Sequence, residues 1–384
     1  MKGLSRRRFL RHAAAAASAT CVAPALSHAM TTSTSPPNPR GVQAMEDALE
    51  LLAPTGPEYH GRLANHGPMA AQALVALERP ESVVAWVEKY KRALQPHPPG
   101  THSIDAKSWR EALGENDRVG DWIVFFRREL ADRPWKEVVS DWTARLSPGV
   151  VAAAFHGAIR TAHAVRSLEE TETPARRREL AEGLGYWAAT YNALPDEPAR
   201  PANGGRLPSA AIAQVPILPA ERRVSNGNIT DRLEPLDRFP PFARVADAVD
   251  ASGDPGAFLS DLTETFASVY LASVPPGSVI TFLHGVTGPA AVRTLASYVP
   301  AVERTRLLRY TWQACASFLA SSGGRTAPPA SSERLLSRDE LADRALATGD
   351  EHAIKFTDAC FREARLNPNP AYARAAADGV ARLD

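Results

Sequence analysis

The chain has 384 residues, of which 44% are hydrophobic and 23% are charged, values that are ordinary for a folded protein and argue against global disorder. Its 44 basic and 43 acidic residues argue against a nucleic-acid binder that relies on bulk charge, and its three cysteines exclude a disulfide scaffold. Beyond the N-terminus there is no uncharged apolar run of about 18 residues, which excludes a polytopic membrane protein. The length predicts one large or two modest domains.

Residues 1–29 are predicted to be a targeting segment. Three arginines, Arg6 to Arg8, precede Phe9-Leu10 and a weakly apolar alanine-rich run, and no acidic residue occurs before Glu46. This order resembles a bacterial twin-arginine signal, cleaved after Ala25 or Ala29; a basic amphipathic helix is the alternative. We therefore expect a periplasmic or secreted protein that meets the twin-arginine translocase during export and has no membrane attachment afterwards. Loss of the segment's five basic residues changes the net charge from +1 to −4.

Helical periodicity dominates the chain after a polar segment, residues 30–43, that we predict to be a disordered linker. Because no convincing alternating strand occurs, residues 44–384 are predicted to form a single large all-α domain with long loops rich in proline and glycine. Pro68, Pro174 and Pro289 stand where helices are expected to begin. The predicted helices cover residues 44–53, 68–79, 81–94, 120–132, 135–146, 149–170, 174–194, 241–251, 255–273, 278–284, 289–298, 300–321, 337–348 and 350–366.

The segment 195–240 is rich in proline and has no clear helical pattern. A connection of that length is unusual within a compact domain, so it is either a linker between domains or a functional lid. We favour the lid, because the candidate site described next draws on residues from both sides of it.

Four histidines lie in apolar surroundings: His66, His156, His284 and His352. The first three are followed directly by glycine, which lets another backbone approach closely. Each histidine alone is more often a hydrogen-bonded core residue than a ligand, but four of the same kind favour a metal site. Imidazole suits iron, zinc, copper and nickel, so a zinc site with a structural or hydrolytic role is one alternative.

Lys355 is conspicuous because the chain has six lysines against 38 arginines. It lies three residues after His352, on a helix face that continues with Phe356 and is expected to turn inward. A buried ammonium group is costly unless it is paired or neutralised. The alternative is an ordinary lysine that reaches solvent or pairs with a neighbouring carboxylate, from Glu351 or Asp358.

Several common cofactor and catalytic motifs are absent from the sequence. There is no GxGxxG after a strand, no P-loop and no Gly-x-Ser-x-Gly elbow. A flavin or nicotinamide held by a Rossmann domain is therefore not supported.

Taken in chain order, the histidine blocks resemble the questin oxidase-like family over about residues 44–380. Several blocks in the right order are more specific than any one of them alone. The matching blocks are Asn65-His66-Gly67-Pro68-Met69, Trp86-Val87-Glu88-Lys89-Tyr90, Phe155-His156-Gly157-Ala158-Ile159-Arg160, Leu283-His284-Gly285-Val286-Thr287-Gly288-Pro289 and Gly349-Asp350-Glu351-His352-Ala353-Ile354-Lys355.

The resemblance implies an oxidoreductase that inserts oxygen into, or cleaves, an aromatic or quinone ring in a Baeyer–Villiger-like reaction. It further implies a mononuclear non-haem Fe(II) ion, a small aromatic substrate and dioxygen as partners, and consumption of NADPH. Export would separate the enzyme from cytoplasmic NADPH, so either the reductant differs or the electrons of the substrate suffice. The implied metal ligands are His66, His156, His284, His352 and Lys355 as a carbamate.

The surroundings of the metal are a further expectation. Trp187, Tyr191 or Trp312 would form walls for a flat substrate. Asp350 or Glu351 would orient an imidazole, or would simply cap a helix. The main alternative to an oxygenase is an exported helical protein that binds aromatic ligands without catalysis.

Overall fold

The computed structural model describes residues 38–59, 63–196, 206–273, 279–324 and 335–384, all of which belong to one compact unit, residues 37–384. The predicted signal segment and residues 30–37 of the predicted linker lie outside these described residues. The all-α prediction is confirmed: within the described ranges the strands are two residues long, β1 (Glu58–Tyr59) and β2 (Leu63–Ala64), and they pair in antiparallel orientation. None of the described helices has the length and apolar character needed to cross a bilayer.

The helices follow one another along the chain with short 3₁₀ turns between several of them. Their bounds are α1 Pro39–Leu52, α2 Gly67–Ala76, α3 Pro80–Tyr90, α4 Val119–Asp132, α5 Trp135–Leu146, α6 His156–Glu170, α7 Pro174–Ala189, α8 Pro208–Ala211, α9 Ile229–Leu233, α10 Pro255–Ala272, α11 Val279–Ala296, α12 Ala301–Ser322, α13 Arg338–Thr348, α14 Glu351–Leu366 and α15 Pro370–Leu383.

Helix starts follow the capping chemistry of the sequence. Asn38 accepts a hydrogen bond from the Arg40 N–H and starts α1 at Pro39, so the prediction of a linker as far as residue 43 is wrong. Proline in the first turn and a side-chain cap also start α7, where Thr173 accepts from the Arg176 N–H. Local sequence thus sets where these helices begin.

Pro289 does not begin a helix, contrary to the prediction, but lies inside the continuous helix α11. Proline cannot donate to the carbonyl four residues earlier, which here belongs to Gly285. That carbonyl instead accepts a hydrogen bond from the thiol of Cys315 of α12, at 3.8 Å.

Two other predictions need correction. The predicted α-helix 241–251 is mainly a 3₁₀ helix, Pro240–Ala248, and no helix is predicted from the sequence where α15 lies.

The predicted helix 149–170 begins seven residues later than expected. Ala153, Ala154 and Phe155 have φ angles of 46°, 55° and 70°, which form a left-handed turn directly before α6. His156 is therefore the first residue of a helix rather than a mid-helix residue. The buried Phe155 ring packs beside Gly288 of α11, where a β-carbon would come within 2.7 Å of that ring.

The helices at the four predicted histidines, α2, α6, α11 and α14, pack against each other around a common interior. Helix α2 packs on α6 and α14, and α11 packs on the same two helices. The approach of α6 to α7 is especially close, since a β-carbon on Gly157 would lie 2.6 Å from the Trp187 Cα atom. The fold therefore brings segments from residues 66, 156, 284 and 352 to one place.

Candidate metal centre

The structure brings the four predicted histidines together. His66 precedes α2, His156 opens α6, His284 lies within α11 and His352 is in the first turn of α14. The His66 ring centroid lies 4.6 Å from that of His156 and 4.5 Å from that of His352, and the His156 centroid lies 4.6 Å from that of His284. Three of the rings are buried, and His352 is at the edge of the cluster.

Three Nε2 atoms converge at the centre of this cluster. The Nε2 atom of His156 lies 2.7 Å from that of His66 and 3.1 Å from that of His284. On the far side of each ring, Nδ1 faces an acceptor: the Ala153 carbonyl at 2.5 Å for His156 and the Ile280 carbonyl at 2.6 Å for His284. A carbonyl can only accept, so these Nδ1 atoms carry the protons and the Nε2 lone pairs point inward.

The facing lone pairs need a cation between them. In His66 the Nδ1 atom lies 3.1 Å from the Glu351 carboxylate, which fixes the same tautomer. Burial lowers the pKa of His66, His156 and His284, and the positive charges of Lys355 and of the neighbouring imidazoles lower it further, so a proton is a poor occupant. An array of neutral imidazoles with Nε2 free and Nδ1 held by acceptors has the chemistry to hold a transition-metal ion.

Lys355 is buried next to the cluster, with 2% of its surface exposed, so the interpretation as a lysine that reaches solvent is wrong. Burial lowers the pKa of its ammonium group to about 8, although Glu351 and Asp350 act in the opposite direction. The predicted alternative partner Asp358 binds Arg166 through two hydrogen bonds, at 2.6 and 3.2 Å. This leaves Lys355 as a buried amine that deprotonates unusually easily.

The two acidic residues at the start of α14, Asp350 and Glu351, have different roles. Asp350 caps the helix, accepting hydrogen bonds from the His352 and Ala353 N–H groups at 2.7 and 3.2 Å. Glu351 accepts from His66 Nδ1 and, at 3.2 Å, from the Tyr59 hydroxyl. The sequence left both roles open for both residues. In the structure Asp350 is the cap and also lies 3.5 Å from His352 Nδ1, whereas Glu351 is the partner of His66.

The backbone around His66 is held rigidly by polar contacts. The Asn65 side chain donates to the Gly56 carbonyl at 2.8 Å and accepts from the Gly67 N–H at 2.9 Å. The His66 N–H donates to the Tyr90 hydroxyl at 2.9 Å, and the Tyr90 ring stacks on Trp86. Two of the sequence blocks that carry the family resemblance therefore meet at one ligand candidate.

A cavity of about 310 Å³ opens beside the cluster, with His66, His156, His284 and His352 in its wall. The prediction that Trp187 and Trp312 form cavity walls is wrong, because both rings are fully buried in the core and donate to backbone carbonyls. Tyr191 faces a neighbouring cavity. Among the described residues, the tyrosines that line the cavity beside the histidines are Tyr59 and Tyr186, which no periodicity or spacing in the sequence marked out.

Part of the predicted lid contributes to the same cavity. Residues 227–230 and Arg232, at and before α9, line it together with the histidines. This segment is anchored by a capping box between Asn228 and Asp231 and by the buried Leu233. Residues 197–205 of the predicted lid lie outside the described residues, and its function as a lid stays a prediction.

Comparison with known proteins identifies a family whose model covers the predicted ligands. The model of the questin oxidase-like family matches residues 63–360, more than half of the chain, and this range includes all five predicted ligands. No curated protein matches the chain.

Proposed function

The chain belongs to the questin oxidase-like family and is thus an oxidoreductase, and we propose that it is a non-haem iron-dependent oxygenase acting on an aromatic or quinone ring. The observation that carries this proposal is the convergence of unprotonated Nε2 atoms in a buried cluster that opens on a cavity. His66, His156, His284, His352 and Lys355 would hold the iron. When bound, Fe(II) with open positions supplies the dioxygen chemistry that protein side chains lack.

Carbamylation of Lys355 would complete the ligand set. The neutral amine adds to carbon dioxide and releases one proton, which replaces a buried cation with an anionic oxygen donor. Burial of the amine and its lowered pKa support this reaction at neutral pH. The neighbouring His352 lies on the same helix, three residues earlier, so the two groups reach the cluster together.

The cavity lining supports a flat, largely apolar substrate. Ala154, Ile229 and Ile280 provide apolar walls, and Tyr59 and Tyr186 provide aromatic ones. Thr281 lines the cavity, and its buried hydroxyl has no partner among the described residues. It can donate to a quinone carbonyl or accept from a phenol, which would orient the ring relative to the histidines.

Elemental analysis of the purified chain tests the metal. We expect about one iron per chain, lost in His284→Ala because that variant removes an inward-facing Nε2 atom. His163→Ala is the matched control. His163 is also buried but bonds Gln72 at 2.8 Å, and it is not one of the four clustered histidines, so this variant should retain the iron. Zinc in place of iron, or no metal after anaerobic reconstitution with Fe(II), would contradict the proposal.

The carbamate is tested by removing carbon dioxide. We expect the affinity for Co(II), a spectroscopic substitute for Fe(II), to fall roughly ten- to hundredfold in carbon dioxide-free buffer and to recover on addition of bicarbonate. Lys355→Gln should bind Co(II) weakly under both conditions. Equal affinity of the wild-type chain with and without carbon dioxide would show that Lys355 binds no metal as a carbamate.

Oxygen uptake separates catalysis from simple binding. A panel of hydroxyquinones should stimulate oxygen consumption by the iron-loaded chain, both with and without an added reductant. Uptake without NADPH would support the further proposal that an exported enzyme uses the electrons of its substrate. Binding of hydroxyquinones without any uptake would favour the non-catalytic alternative.

A further inference from the structure

A second cavity of about 320 Å³ adjoins the one beside the histidines. The two share four wall residues: Ala153, Tyr186, Asn228 and Thr230. The first cavity, at about 310 Å³, is at the lower end of the roughly 300–1,000 Å³ that small-molecule sites occupy. It therefore has room for one fused ring system, and a larger substituent on that ring must lie elsewhere.

The second cavity differs from the first in chemistry. Its wall is rich in uncharged hydrogen-bonding groups and contains one carboxylate, from Glu58, and no described lysine, arginine or histidine. A carboxylate or phosphate group would lie there next to Glu58 without a compensating cation, which is unfavourable. The uncharged polar residues of the wall are Asn116, Tyr186, Thr190, Tyr191, Asn192, Asn228 and Thr230.

Glu58, Asn116 and Tyr186 form a preassembled polar group in that wall. Glu58 accepts from the Tyr186 hydroxyl at 3.3 Å and from the Asn116 side-chain amide at 3.2 Å. Since the amide nitrogen of Asn116 faces Glu58, its oxygen is turned away, and this buried oxygen has no partner among the described residues. A ligand hydroxyl that donates to it would satisfy the unpaired acceptor.

We propose that the second cavity is a subsite for a neutral, hydroxyl-rich substituent, so that the substrate is an aromatic ring system bearing a group such as a hexosyl unit. The ring would lie against the histidines, and the substituent would hydrogen-bond to Asn116 and Glu58. Tyr186, which lines both cavities, stands at the junction between the two parts. This inference rests on the proposed function, because it takes the first cavity as the site of an aromatic ring.

The test compares a dihydroxyanthraquinone with its mono-O-glucoside, using the metal-loaded full-length chain. We expect the glucoside to bind about tenfold more tightly, measured by calorimetry or quenching of tryptophan fluorescence. Asn116→Ala and Glu58→Gln should each weaken binding of the glucoside about five- to tenfold, the cost of one lost hydrogen bond, and leave binding of the parent quinone unchanged.

Glu264→Gln is the matched control. Glu264 accepts from the Asn367 side chain at 2.7 Å, as Glu58 does from Asn116, but it lines neither cavity, so both affinities should stay at the wild-type level. Equal affinity for the two probes would overturn the subsite and leave the proposed function standing. The same holds if the mono-aminoethyl ether of the quinone, which carries a cationic substituent, binds more tightly than the glucoside. Failure to bind either probe would overturn both.

Discussion

Ala153, Ala154 and Phe155 have backbone conformations that residues with a β-carbon rarely adopt, and they lie directly before a candidate ligand. The turn places the Ala153 carbonyl within hydrogen-bonding distance of His156 Nδ1, which fixes the tautomer of that ring. Alanine at 153 and 154 also supplies methyl groups to the cavity wall, which glycine would not. The strain is therefore located where both the ligand orientation and the cavity shape depend on it.

Replacing Ala154 by glycine should test how far this turn positions His156. We expect Ala154→Gly to raise the free energy of unfolding by about 1 kcal/mol, because glycine adopts positive φ without strain. Its affinity for Co(II) should fall several-fold, because the turn holds His156 less rigidly. Urea unfolding and Co(II) absorption measure the two quantities.

Glu78→Gly is the control for this experiment. Glu78 also has a positive φ, 63°, but it is exposed and lies two residues after the end of α2. The Glu78→Gly variant should show a similar rise in the free energy of unfolding, with no change in its affinity for Co(II). A fall in affinity in both variants would mean that the left-handed turn has no particular role in positioning His156.

Individual helices are tied to the connections between them by polar contacts that local sequence does not reveal. Asp121, in the first turn of α4, accepts hydrogen bonds from the N–H groups of Thr101 and His102, at 2.7 and 2.8 Å, and from Arg118 at 3.0 Å. Burial alone would raise the pKa of the Asp121 carboxyl, but the bonds from His102, Arg118 and Thr101 together hold it below its ordinary value. The ionised carboxylate thus anchors a long proline-rich connection to α4.

Asp121→Asn should lower the free energy of unfolding by about 1–2 kcal/mol at pH 7. Because the pKa in the folded state is the lower one, the stabilisation is fully present above the unfolded value of about 4 and is lost as the pH falls through the folded value. The difference between variant and wild type, measured by urea unfolding at several pH values, should therefore shrink below about pH 4. A difference that stays constant down to pH 3 would contradict this account.

At the scale of the whole molecule, buried ion pairs connect helices that are distant in sequence. Glu363 of α14 is fully buried and binds Arg293 of α11 through two hydrogen bonds, at 3.0 and 2.7 Å. It also accepts from Thr263 of α10, whose hydroxyl contacts Tyr372 of α15. One carboxylate therefore joins the two helices that carry His284 and His352 to the C-terminal part of the fold.

Glu363→Ala should lower the free energy of unfolding by about 3–5 kcal/mol, because it leaves the Arg293 guanidinium buried without its partner. The exposed pair of Glu303 and Arg306 provides the comparison, and Glu303→Ala should cost less than about 1 kcal/mol. Thermal or urea unfolding measures both. Similar small losses in the two variants would show that water reaches Arg293 when Glu363 is removed.

The sequence by itself determined the helical class, because a 3.6-residue periodicity is a local property, and it singled out four histidines and a lysine through their apolar neighbours and the scarcity of lysine. The tertiary structure decided that these side chains converge, since packing of α2, α6, α11 and α14 sets distances between residues far apart in the chain. It also decided two points that local rules predicted wrongly. Pro289 lies inside a helix, where the Gly285 carbonyl that it leaves free accepts the Cys315 thiol, and a left-handed turn delays the start of α6. The division between Asp350 as cap and Glu351 as partner of His66, and the role of Tyr186 in two cavities, likewise depend on long-range contacts that no single segment encodes.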